Sequence, residues 1–124
     1  MNIFITTGAF FGALGIILGA FGAHALKKIF NEDQLKNFET GVKYQMYHAL
    51  LLVIIGLNLN FITNFQSLLY YSLTLGILLF SFSIYGLCIT SARSNKLKIL
   101  GPITPIGGLL LLLGWLLLFF NAVN

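Results

Sequence analysis

Residues Gly8–His24 read "GAFFGALGIILGAFGAH", with glycine at positions 8, 12, 15, 19 and 22. Glycine is among the residues a helix tolerates worst, at a cost of about 1 kcal/mol relative to alanine. At about 100° per residue the five glycines share an arc of about 80°, so they form one seam along a helix. Ala9, Ala13, Ala20 and Ala23 lie beside the seam, and Phe10, Leu14, Leu18 and Phe21 occupy the far side. Helices in a bilayer gain little hydrophobic energy by meeting, because lipid tails are as apolar as leucine. They associate through close packing and hydrogen bonds, which small residues permit. Glycine and alanine are also simply common in membrane helices, but five glycines in one arc favour a packing seam. The expectation is a span at the centre of a bundle, facing two neighbours.

The rest of the chain fits a membrane protein. Of 124 residues, 58% are hydrophobic and only 8% charged, far below the roughly 25% charged residues of soluble domains. A bilayer core about 30 Å thick needs about 20 helical residues. Four runs qualify, at about 3–23, 44–62, 68–89 and 103–120. They are continuously apolar and Leu-rich rather than alternating, which argues against a β-barrel. The first lacks a basic flank ahead of it and reads as a retained span rather than a signal peptide. The predicted fold is all-α: one four-helix transmembrane domain over residues 1–124, with a short cytoplasmic amphipathic helix leading into span two.

All seven basic residues fall in two loops: Lys27, Lys28, Lys36 and Lys43 after span one, and Arg93, Lys96 and Lys98 after span three. The positive-inside rule places both loops in the cytoplasm and both termini outside, in the cell (inner) membrane. The net charge of +4 then points to anionic lipid headgroups, met by Lys27, Lys28, Arg93, Lys96 and Lys98, rather than to nucleic acid. "ARSNKLK" (92–98) carries no acid to offset its cations.

Span three repeats the small-residue spacing through Ser72, Gly76, Leu79, Ser83, Gly86 and Thr90. Such seven-residue repeats favour left-handed crossings near +20°. Spacing alone leaves open whether the two seams close within one chain or between copies, so the expected partners are membrane lipids and a homo-oligomer or larger membrane complex.

In "NEDQLKNFETGVKYQMYHALL" (31–51), Asn31 and Gln34 form a capping-box pattern, and Glu32 and Asp33 suit the positive end of a helix. Leu35, Phe38, Val42, Met46 and Ala49 share a face. The helix is expected to run on into span two with Gly41 as a bend, and with i,i+4 pairs Glu32–Lys36 and Glu39–Lys43. His24 at the end of span one and His48 at the start of span two would then lie near the inner interface with Glu39, Lys43 and Tyr44, forming an interfacial polar cluster. His24, His48 and the single cysteine, Cys88, are the residues a metal or haem would use. They lack motif spacing and form an incomplete zinc set. Interfacial hydrogen bonding is the favoured reading, and no cofactor or catalytic residue is expected. One cysteine also excludes a CxxC redox pair.

Three segments, "GAFGAHALK" (19–27), "FETGVKYQMYHAL" (38–50) and "GPITPIGGLLLLLGW" (101–115), closely resemble in order the hallmark stretches of domain-of-unknown-function family 423, small bacterial membrane proteins with eukaryotic relatives. The resemblance covers nearly the whole chain and implies a polytopic four-helix protein. It brings no established activity and so transfers no functional residue. It does mark His24, Glu39, Tyr44, Gln45, Tyr47, His48, Pro102 and Pro105 for scrutiny. Both prolines suit the first turn of span four, where a missing N–H costs nothing.

Three functions compete. A structural or accessory bundle is favoured by the seams and by the lack of a chemical motif. A transporter or channel is second; Ser72, Thr74, Ser81, Ser83 and Tyr85 sketch a polar path, but no intramembrane ionisable group of the kind proton-coupled export needs is expected between Ile3 and Ala23 or between Ala49 and Ala92. An interfacial enzyme acting on lipid headgroups through His24, Glu39, Lys43, Tyr44 and His48 is third, without nucleophile spacing or a phosphate loop.

Overall fold

A computed structural model describes residues 1–58 and 64–123, apart from the Ala23 side chain. The expected end of span two at 59–62 and the final residue of the tail lie outside the described residues. Four helices are long and apolar enough to cross a membrane: Ile3–Leu26, Glu32–Leu57, Asn64–Ala92 and Leu100–Val123. They are spans one to four below.

Span one starts at Asn2, whose side chain accepts from the Ile5 N–H at 3.2 Å and donates to the Gly56 carbonyl on span two at 2.8 Å. Span two starts earlier than hydropathy suggests. The capping box is closed at both ends, Gln34 N–H to Asn31 Oδ1 at 2.8 Å and Asn31 N–H to Gln34 Oε1 at 3.0 Å. From there a single helix continues from Glu32 to Leu57. Gly41 is no bend. It is a point of close approach, where a Cβ would stand 2.7 Å from the Tyr85 ring.

Spans one and three each contain a turn of π-helix, at Ile17–Gly22 and Leu78–Phe82. Both turns pack against the same stretch of span two: Gly19 faces Val42, and Ser81 bonds the Gly41 carbonyl. Such i→i+5 turns re-aim the side chains that follow them.

Span three ends in a Schellman motif. Ser94 N–H bonds the Ser91 carbonyl at 3.1 Å, Asn95 N–H bonds the Thr90 carbonyl at 2.9 Å, and Ser94 takes the left-handed position at φ 58°. Span four begins at Leu100, so Pro105 lies inside the helix rather than in its first turn. Its missing N–H leaves the Gly101 carbonyl without the usual donor.

Spans two and three form the central pair. In their most apolar stretches 39% and 44% of residues are buried, against 22% for span one and 17% for span four. Span one therefore flanks the bundle instead of occupying its centre, and its Ala9, Ala13 and Ala20 are exposed. The main core gathers Phe4, Phe11, Leu52, Leu69, Leu73 and Leu111 from all four spans. A second cluster at the basic-loop end joins Phe30, Phe38, Tyr85 and Cys88.

Candidate functional site

The small-residue seams close within this chain. Span one's seam lies on span two: a Cβ on Gly8 would stand 2.7 Å from the Ala49 carbonyl oxygen, one on Gly15 would strike the Met46 sulfur, and one on Gly19 would meet Val42 at 3.0 Å. Gly22 makes only ordinary contact with Phe38, and Gly12 faces no atom within 4 Å among the described residues. Span three's seam lies on span four. Gly76 receives Leu111, Gly86 receives Leu100, and Ser83 Oγ meets Thr104 Oγ1 at 2.6 Å. Span four answers with Gly107 directly against the backbone at Leu79 and Phe80, and Gly114 against Leu73.

Polar side chains join each touching pair of spans. Gln45, fully buried, donates to the Phe11 carbonyl of span one at 2.8 Å and accepts from Tyr85 of span three at 2.6 Å. Ser81, also fully buried, donates to the Gly41 carbonyl at 2.7 Å. Thr7 and Tyr70 link spans one and three at 2.6 Å. Gln34 Nε2 reaches Ser91 Oγ at 3.2 Å. Thr74 Oγ1 is the one buried side-chain polar atom without a partner among the described residues. Ser81, Ser83 and Tyr85, expected on a polar path, are thus spent on helix contacts.

Spans two and four touch through His48. Its Nδ1 lies 2.7 Å from the Tyr44 carbonyl and its Nε2 accepts from Trp115 Nε1 at 3.0 Å. A carbonyl can only accept and an indole N–H can only donate, so these partners select the neutral ring with its proton on Nδ1. Both nitrogens are then engaged, leaving neither for a metal.

His48 is buried well inside the bundle. It lies about 24 Å along the helix from Glu32, at a 1.5 Å rise per residue, level with the middle of the bundle. The expected cluster is therefore dispersed. His24 is exposed at the end of span one, Glu39 and Lys43 are exposed on span two beside a 200 Å³ hollow at Gly19, and Tyr44 packs on Phe80 with ring centroids 4.9 Å apart. Tyr44 and His48 are brought together by the Nδ1 contact, while Glu39 and Lys43 share the hollow apart from them. Cys88 is buried near the loop end of span three, its Sγ 3.4 Å from the Gln34 carbonyl. No three metal-ligating side chains gather among the described residues, and neither expected i,i+4 ion pair forms there.

On either side of the His48–Trp115 contact, spans two and four diverge over span three. Toward the basic loops the gap is a 360 Å³ cleft with Asn37, Thr40, Thr104 and Pro105 in its walls. It shares Asn37, Leu87 and Cys88 with a 140 Å³ extension that reaches Gln34, Ser91 and Lys96. Toward the other end lies a 440 Å³ cleft, apolar at Leu51, Ile54 and Leu118 and, among the described residues, polar at Asn58, Gln66 and Asn121. Lys27, Lys28, Arg93, Lys96 and Lys98 are all exposed at the basic-loop end.

Four apolar helices locked by small residues and internal hydrogen bonds define an integral membrane helix bundle. Comparison with known proteins agrees. The chain belongs to the family described as protein of unknown function (DUF423), whose model matches residues 18–108. It is 40% identical over 122 residues to a UPF0382 membrane protein of Staphylococcus haemolyticus, covering 98% of this chain and 96% of that protein. It is 37% identical over 126 residues to UPF0382 membrane protein YwdK of Bacillus subtilis, covering 100% and 98%. A Haemophilus influenzae UPF0382 membrane protein is 36% identical over 121 residues, covering 98% and 94%. No solved structure matches. The family carries no named enzymatic activity.

Proposed function

We propose that this protein is an accessory helix bundle of the cell membrane that engages lipid or a larger membrane complex through the open face between spans two and four. The observation that carries this reading is the division of its polar side chains. Those inside the bundle bond one helix to another, whereas Asn37, Thr40, Asn58 and Asn121 stand in the walls of two clefts between spans two and four. A conducting protein needs unpaired polar groups along its axis, and an enzyme needs a convergent reactive set.

Both basic loops face the cytoplasm in this reading, by the positive-inside rule. In a Cys88→Ser background, Lys28→Cys should be shielded from a membrane-impermeant thiol reagent in intact cells while Ala122→Cys is labelled; the reverse pattern contradicts the orientation. Purified protein in liposomes should leave proton and small-cation gradients intact, and it should co-purify with lipid or a partner chain.

Transport remains as a second reading because His48 is an ionisable group at mid-depth. Solute flux that is abolished by His48→Gln would establish it and overturn the accessory reading.

A further inference from the structure

We propose that the cleft at the basic-loop end is a binding site for one anionic phospholipid, with its phosphate at Lys96 and Asn37 and an acyl chain along Ile84, Leu87 and Pro105. The cleft carries both kinds of surface such a ligand requires. Lys96, Gln34, Asn37 and Ser91 line its loop-side extension, and Ile84, Leu87 and Pro105 stand in its main walls beside Thr40 and Thr104. It opens sideways between spans two and four, where a lipid enters from the bilayer without passing through water.

Lys96 is held in place by the backbone on both sides of it. Asn95 N–H bonds the Thr90 carbonyl at 2.9 Å and Leu97 N–H bonds Thr90 Oγ1 at 3.2 Å. Fixing the loop before binding lowers the ordering cost of contact. Arg93 and Lys98 add positive charge from the same acid-free loop. Asp33 lies one turn nearer the helix start on the Asn37 face, and the three loop cations outnumber it. A cation near an anionic lipid surface contributes about 1 kcal/mol; a phosphate shared by Lys96 and a neighbouring amide gains geometric selectivity as well.

This inference rests on the accessory-bundle reading, and the two fail separately. Solute flux would remove that reading and leave a lipid site standing, whereas the test below bears on the site alone. Full-length protein is loaded with phosphatidylglycerol or phosphatidylcholine in detergent, and lipid retention is measured by native mass spectrometry. Phosphatidylglycerol should be retained under activation that strips phosphatidylcholine. Lys96→Glu and Asn37→Leu should each lower that retention about fivefold or more, with folding checked by thermal shift. Lys28→Glu makes the same charge change outside the cleft walls and should leave retention within about twofold. Excess glycerol 3-phosphate, a headgroup without chains, should displace nothing. Equal retention of the two lipids, equal damage from Lys28→Glu and Lys96→Glu, or displacement by glycerol 3-phosphate would each overturn the proposal.

Discussion

Spans three and four meet as equals, while spans one and two do not. On the first interface each helix supplies glycines that receive the other's leucines, and Gly107 brings span four against the backbone of span three. On the second, most of the seam comes from span one, and what it meets at Gly15 is the flexible end of Met46. Glycine spacing alone therefore does not rank positions by importance. What matters is whether the facing atoms can move aside: a backbone cannot, and a methionine tip can.

That comparison is open to attack at several strengths. Gly107→Ala should be the most damaging, about 3 kcal/mol by SDS titration or thermal shift, because the added methyl meets main-chain atoms. A neutral result would mean that the two helices stand further apart. Gln45→Leu comes next. It deletes bonds to both flanking elements and leaves the Tyr85 hydroxyl buried without its acceptor, at about 2 kcal/mol. A loss no larger than that of an exposed apolar swap such as Leu50→Ala would show that Gln45 joins nothing.

Trp115→Phe removes the donor to His48 and should cost about 0.6–1.5 kcal/mol, the range of hydrogen bonds between membrane helices. Gly15→Ala should cost no more than about 0.5 kcal/mol, since Met46 can change rotamer and the new alanine favours helix. Gly12→Ala, facing open space, should be neutral or gain a few tenths of a kcal/mol. If Gly12→Ala were worse than Gly107→Ala in the same assay, the contrast between the interfaces would be inverted.

Much of this was legible in the residues. Four apolar runs, the capping box at Asn31 and Gln34, and both seams follow from composition and spacing. Which helix is central does not. Lipid and protein interior are equally apolar, so hydropathy cannot separate a buried leucine from a lipid-facing one. Span one looked central because of its glycines, yet it flanks the bundle.

The burial of His48 inside the bundle was missed for a related reason. Glu39 and Lys43 read as the end of the hydrocarbon zone, but both sit on the exposed side of a helix that starts at Glu32, where long side chains can reach toward the interface. The π turns left no compositional trace at all. Gln45 was marked only by the family resemblance. The signal that could have found it is its isolation, the one amide between Gly41 and Leu57.

The central claim is that the two seams close inside a single chain, and a crosslink tests it most directly. Ser83 Oγ and Thr104 Oγ1 lie 2.6 Å apart, so Ser83→Cys with Thr104→Cys, in a Cys88→Ser background, should oxidise to a monomer with an internal disulfide. Mixing tagged and untagged copies should then yield no covalent pair. Covalent dimers joining the two copies would contradict the account, because the seam would be an interface between molecules.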